Sequence, residues 1–349
     1  IQVKIDNTFN EASKLLKKDK ENIINELSKL IKVADGDQKG LKEKINKLKT
    51  YTIGFENISD LQHGKADESS QAAQFAKFIN SDHRTIRVKS SDFLRSLQDY
   101  ITFADQPMGI SSGLGILAIA KYANKDGIKV LLSGDCADEC FGGYSWYPYI
   151  NQLVENNNKN NNENDSEISF HNYEYSNEER ASIIQNYNSH KQAWAWHYYA
   201  SESQKNNIFS KDIISESLSS LRHFQTFNSN TKWSGKTFIS QDRDFYLSNE
   251  MLQKLDRMTM AASVEGRVPF ASPSVINLAE QLEFSHFYRN KTLKWILKQA
   301  FKDDLPKEII NRPKHGFNVP LDDWFRNDWS FLIDECFNSD SCLYNESII

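Results

Sequence analysis

Cysteine is scarce: the 349 residues hold four, at Cys136, Cys140, Cys336 and Cys342. That is too few, and too unevenly spaced, for the disulfide frame of a small secreted domain. Neither a CxxC pair nor a histidine cluster accompanies Cys136 and Cys140, so a zinc site lacks its ligand set. A reducing compartment, the cytoplasm, is the expected location. No stretch reaches the roughly 18 to 20 continuous apolar residues of a membrane helix. A basic excess is also missing: 42 Lys and Arg stand against 47 Asp and Glu, a net charge of −5. A surface built for nucleic acid would normally show a positive stripe, so small charged substrates fit better. No signal peptide is visible, and a first residue of Ile1 instead of Met leaves room for an upstream segment.

What is present is an alternation of strand and helix patterns. A Lys-rich leader spans residues 1–48, and within it Ile23, Ile24, Leu27, Leu30 and Ile31 share one helical face. The β-branched and aromatic run KTYTIGFE (49–56) predicts a strand, SSQAAQFAKFINS a helix, and RTIRVKS (84–90) a second strand. Ser90 or Ser91 can cap a helix over DFLRSLQDYITFA, and another covers GLGILAIAKYAN. IKVLL (128–132) is the short apolar run of a strand buried on both faces. Strand–helix alternation predicts an α/β fold, a parallel sheet with helices on both faces, over residues 49–150. Residues 151–170, with ENNNKNNNENDSE inside them, are expected to be a solvated insertion, and 171–349 to be mostly helical.

In open α/β sheets a ligand sits at the carboxyl ends of strands, and SGDCADECFGG (133–143) begins where the apolar strand stops. Its acids, Asp135, Asp138 and Glu139, would repel a bare phosphate, so a phosphate ligand would need a divalent cation, Mg2+, between. The plainer alternative is that Asp and Gly only build a turn and cap the next helix. Lys314, in a turn between Pro313 and His315-Gly316, would ordinarily be a solvated surface charge. Asp256, Arg257, Glu265 and Arg267 flank an apolar helix, where a salt-bridge network is at least as good a reading as substrate contact, and Arg267 is assigned a structural role. Trp146, Tyr147 and Tyr149 fit core packing or the subunit contacts of a homodimer better than a base-stacking platform.

LSGDCADECFGGY (132–144), KLDRMTMAASVEGRVPF (254–270) and LPKEIINRPKHGFNVPLDDWF (305–325) resemble, in the same order, segments of the synthetase domain of asparagine synthetases. KTYTIGFEN (49–57) resembles the family's strand beside the adenine, and ADQP (104–107) its D-E-P turn. The resemblance implies a fold of the adenine-nucleotide alpha-hydrolase, or ATP-pyrophosphatase, type. It also implies a reaction: MgATP activates the side-chain carboxylate of aspartate as an acyl-adenylate with release of pyrophosphate, and ammonia then displaces AMP to give asparagine. Carried onto this sequence, Asp135 falls near the reacting carboxylate and the incoming ammonia. Asp138 falls at the position associated with Mg2+ and pyrophosphate, and Lys314 on the lysine that would stabilise pyrophosphate. Ile53 and Gly54 would offer backbone contacts to adenine, and Gly134 would let the loop approach the nucleotide.

Two of the family's features are missing from these residues. The earliest cysteine is Cys136, so the amino-terminal cysteine of a class II glutaminase is not present, and ammonia is expected from solution, a partner or a glutaminase domain. S-G-G-x-D-S, the family's pyrophosphate loop, is replaced before residue 49 by KVADGDQKGLKEKINKLKT (32–50). Lysine-rich helical sequence does not offer the converging backbone N–H groups of a glycine loop. Three readings therefore stay open: the synthetase part of an asparagine synthetase, a relative that adenylates another carboxylate, such as a β-lactam synthetase or peptide cyclase, and a non-catalytic relative. In the third, Asp135, Asp138 and Lys314 would not converge.

Overall fold

The computed structural model describes residues 48–56, 67–157, 202–217, 234–312, 314, 316 and 319–347. The Lys-rich leader and nearly all of the Asn-rich stretch lie outside the described residues. The chain divides into two compact units, one of residues 1–145 and 239–323, the other of 146–238 and 324–349.

In the first unit, strand β1 (Lys49–Phe55) runs through helix α1 (Ser69–Phe78) to β2 (Asp82–Val88), which pairs with it in parallel from Lys49↔Asp82 to Phe55↔Val88. Helix α2 (Ser90–Ala104) buries Phe93, Tyr100 and Ala104, positions that fall on one face at the helical repeat. Its first turn is not capped by a serine: the Lys89 N–H donates to the Asp92 carboxylate at 2.9 Å, so Ser90 is already helical. An aspartate in the first turn satisfies an orphan amide and complements the helix dipole, which a hydroxyl does only in part. Helix α3 (Ser112–Lys125) carries Leu114, Leu117, Ala120 and Ala123 inward. Gly113 is required there, because a Cβ would stand 2.6 Å from the Tyr100 ring.

Strand β3 (Val130–Leu132) pairs in parallel with β4 (Glu265–Arg267), and the ladder extends through Ser133 N–H to Arg267 O at 2.8 Å. Ala120 of α3 packs with Ala262, Val264 and Leu131 against this ladder. At its other end α3 is tied to the first ladder, where Asp126 accepts from the Tyr51 hydroxyl at 2.8 Å and pairs with Arg84 at 2.9 Å. The fold is therefore α/β with small parallel sheets, but the single sheet expected from the alternation is two two-stranded ladders among the described residues. One sheet would need β1 and β3 to pair or to share a strand, and no described strand does so. For the same reason β3 is not buried on both faces: Leu132 is 44% exposed.

Between β3 and β4 lie helix α4 (Ala137–Phe141), a π-helical segment (Arg243–Met251) and α5 (Leu252–Met260). After β4 come α6 (Pro273–Gln281), α7 (Phe284–Phe287) and α8 (Trp295–Ala300). The sequence pattern predicts a longer helix over NKTLKWILKQAFKDDL. The chain enters it through Asn290, Lys291 and Lys294, all with positive φ, and left-handed residues cannot propagate an α-helix.

In the second unit Tyr147, fully buried, meets the Phe238 ring edge-on at 5.6 Å, and the Trp324 and Trp329 rings lie 5.1 Å apart. Tyr147 is thus a core residue, as its composition suggests. Among the described residues no helix is long and apolar enough to cross a membrane.

Candidate functional site

The turn after β3 is tightly built. Ser133 Oγ and the Asp135 carboxylate share a short hydrogen bond, and Cys136 takes a left-handed conformation (φ 71°) that starts α4 at once. Such a conformation is unusual away from glycine and persists where the surroundings enforce it. Here the Cys136 side chain is 1% exposed, with its sulfur 3.4 Å from that of Cys140. Both thiols are free. Gly142 ends the helix with φ 68°, and the amide of the next residue, Gly143, bonds back to Asp138 O at 2.9 Å. A Cβ on Gly142 would meet Phe287 at 2.6 Å.

Asp138, on the first turn of α4, is the centre of charge. Lys314 Nζ lies 3.0 Å from its Oδ2, and Lys294 Nζ 2.9 Å from Oδ1. The Lys294 contact is an ion pair whose angle leaves Oδ1 without an aligned hydrogen bond. Burial works to raise the Asp138 pKa, but the two lysines outweigh it and hold the carboxyl below its ordinary value. Lys294 is positioned by its own backbone, left-handed at φ 51°, with its N–H directed to Gly142 O at 3.3 Å. The cluster contains two cations for one anion, so it presents a net positive charge at the carboxyl end of β3.

Glu139 points the other way, into the protein, and is 1% exposed. Burial pushes its pKa up to about 7, against the opposing hydrogen bond from the Tyr144 hydroxyl at 2.7 Å. Arg243, 8% exposed, donates to Glu139 O at 3.2 Å and reaches Glu280 at 3.6 Å, which fixes α4 to the π-helical segment and α6. The Tyr144 ring lies beneath Lys314, with Nζ 5.3 Å from its centroid, and meets Tyr246 edge-on at 6.2 Å.

Of the residues singled out in the sequence, Asp138 and Lys314 are brought together, and Asp135 sits on the same loop, bonded to Ser133. Apart from its chain neighbours, no heavy atom of the described residues lies within 4 Å of where a Cβ on Gly134 would be, so among them that side of the loop is open. Ile53 and Gly54 are on the other ladder; Ile53 is 5% exposed, and a Cβ on Gly54 would meet the Arg87 guanidinium at 2.8 Å. Lys314 is an ion-paired residue and not the freely solvated charge its turn would suggest. The four charges around α5 do not form one network: Arg257 donates to Ala104 O and pairs with Asp105 at 3.3 Å, while Arg267 lies 4.0 Å from Glu265. Sequence reasoning missed Lys294, Tyr144 and Arg243. Only Tyr144 had a local signal, as the residue that follows the Gly-Gly pair.

Comparison with known proteins identifies the family. The family model for asparagine synthase matches residues 28–346. A putative glutamine-hydrolysing asparagine synthetase of Mycobacterium tuberculosis is 25% identical over 299 residues, 80% of this chain and 42% of the relative. Glutamine-hydrolysing asparagine synthetase 1 of Bacillus subtilis is 24% identical over 320 residues, 86% of this chain and 48% of the relative. Amidase chry2 of Gibberella zeae is 31% identical over 97 residues, 28% of this chain and 14% of the relative. The chain spans less than half the length of these relatives. The family match nonetheless takes in both ladders, the loop after β3 and the segments that supply both lysines, and the chain belongs to the asparagine synthase family.

Proposed function

We propose that the chain carries the synthetase half of an asparagine synthetase, on a fold of the ATP-pyrophosphatase type: ATP-dependent conversion of aspartate to asparagine through β-aspartyl-AMP. The observation that carries this reading is Asp138 held between Lys294 and Lys314 beside an open glycine loop. In the first step an aspartate side-chain oxygen bonds to the α-phosphorus of ATP, and the bond to the β-phosphate oxygen breaks to release pyrophosphate. In the second, ammonia bonds to the acyl carbon, AMP leaves with the bonding electron pair, and a proton is lost.

The protein's contribution to such chemistry is placement and stabilisation of charge. Lys314 and Lys294 neutralise the charge that grows on the leaving pyrophosphate. Gly134 gives the nucleotide room, Asp135 stands by the reacting carboxylate and the ammonia, and the Ile53 and Gly54 backbone takes the adenine. Asp138 fits as one arm of a magnesium site: Oδ1 lacks an aligned hydrogen bond, and Gly143 keeps a side chain away from it. Magnesium characteristically takes one or two carboxylates plus substrate phosphates, and Asp138 would be such a carboxylate. Magnesium, when bound, supplies neutralisation of the phosphate charge.

The competing reading, a non-catalytic relative, rests on the missing S-G-G-x-D-S within the 349 residues. Release of AMP and pyrophosphate by the purified, folded chain with MgATP, aspartate and ammonia separates the two. AMP that requires aspartate and disappears in Asp138→Asn supports the synthetase reading. AMP that requires a different carboxylate favours a relative with another acceptor, and none from any carboxylate sinks the catalytic reading for this chain.

A further inference from the structure

We propose that Tyr144 is a positioning residue for Lys314, setting the lysine's charge over the phosphate side of the site; this rests on the synthetase reading above. Four observations meet at this side chain. Its ring face lies beneath Lys314, with Nζ 5.3 Å from the centroid, within the range of a cation–π attraction. Its hydroxyl donates to Glu139 Oε1 at 2.7 Å, so the ring cannot swing without breaking a bond to a buried carboxyl group. Glu139 is itself held through its carbonyl by Arg243. The far edge of the ring is braced by Tyr246 at 6.2 Å.

Lys314 needs such support. Its side chain is 32% exposed, and among the described residues the carboxylate it pairs with is Asp138. If Asp138 turns to a magnesium ion, that ion pair is given up. A lysine released from it would then recover its rotamer freedom, which has to be given up again when it binds. The aromatic face remains whether or not Asp138 is engaged, and keeps Nζ near the loop. The division of labour within Tyr144 follows: the ring face acts on Lys314, and the hydroxyl fixes the ring. Phenylalanine retains the first and loses the second; leucine loses both.

The test uses two readouts on the unsubstituted chain, Tyr144→Phe, Tyr144→Leu, Lys314→Met and the Tyr144→Leu/Lys314→Met double variant, each checked for folding by circular dichroism. The first is competitive acylation of lysines at trace reagent, read by mass spectrometry. Lys314 should become about fivefold more reactive in Tyr144→Leu while other lysines stay unchanged, with a smaller rise in Tyr144→Phe. The second is titration with magnesium pyrophosphate. Tyr144→Leu should bind about five- to tenfold more weakly, and the double variant no more weakly than Lys314→Met, because a positioning residue has nothing to position once Lys314 is gone. Additive losses in the double variant, unchanged Lys314 reactivity, or full affinity in Tyr144→Leu would each overturn this proposal alone. Absence of pyrophosphate binding by the unsubstituted chain would overturn the synthetase reading and this proposal with it. Should Tyr144→Leu fail to fold, the same pair of measurements on Tyr144→His, which retains a smaller and less electron-rich ring, takes its place, with an intermediate effect expected and no effect overturning the proposal.

Discussion

A Cβ placed on Gly143 would stand 1.7 Å from Asp138 Oδ1 and 2.2 Å from Lys294 Cε. No side chain fits there, so the second glycine of the pair is what allows the carboxylate and the lysine to approach each other. Gly143→Ala should destabilise the chain by about 2 kcal/mol or more, since neither group can move without losing its partner. Gly134→Ala, whose Cβ meets no atom of the described residues within 4 Å beyond its chain neighbours, should leave stability unchanged. Denaturant unfolding of the two variants checks both statements, and an equal effect would contradict the geometry.

Tyr51 gives a pH dependence away from the site. Its pKa is raised to about 12, by burial first and then by the hydrogen bond to Asp126. A tyrosine whose folded pKa exceeds the ordinary value of about 10 contributes stability fully below pH 10, and loses it as the pH rises from 10 to 12. Solvent screening keeps the contribution near 1 kcal/mol. Tyr51→Phe should therefore be less stable than the parent at pH 8, and the difference should close by pH 12.

Glu139 has a consequence of the same sign in a lower pH range. Its folded pKa of about 7 lies above the ordinary 4.5, so the folded state holds its proton more tightly than the unfolded state does. The stability gained from this is complete below pH 4.5 and is lost as the pH rises through 7. Glu139→Gln keeps an acceptor for Tyr144 and does not titrate. Its unfolding midpoint should vary less than the parent's between pH 5 and pH 8, and parallel curves would refute the assignment.

Arg243 and Glu280 form an unequal pair: the guanidinium side chain is 7% exposed and the carboxylate 55%. Arg243→Met leaves the Glu139 carbonyl without its donor and should cost about 2 kcal/mol, whereas Glu280→Gln should cost less than about 0.5 kcal/mol because water replaces the lost partner. Urea midpoints of the two variants distinguish them.

Elements set by short-range pattern were legible. The β-branched run of β1, the alternation in β2, and the apolar face made by Phe93, Tyr100 and Ala104 depend on neighbours within a turn or two, and the sequence displays those directly. Serine preference puts the start of α2 at Ser90 or Ser91, whereas Lys89 directly precedes the helix and its amide is taken by Asp92 of the first turn. The single sheet was not found because strand neighbours are chosen by long-range packing, and a pattern of apolar residues does not say which edges meet. Asp138 stands out in the sequence as one of three acids on a glycine loop after a strand, but Lys314 as its partner could be named in advance only through resemblance to a family.

The sequence by itself determined that the chain alternates strand and helix, that an acidic glycine loop follows the strand ending at Leu132, that acids outnumber Lys and Arg by 47 to 42, and that it holds no long continuous apolar run. Tertiary structure alone decided which charges share that loop. Lys294, left-handed with its N–H directed to Gly142, and Tyr144, set between Lys314 and Tyr246, acquire their places from residues far along the chain. The physical reason is range: propensity and periodicity act over a few residues. The balance of two lysines against one aspartate is an electrostatic outcome that exists only once burial has brought distant segments within a few ångströms and reduced the screening between them.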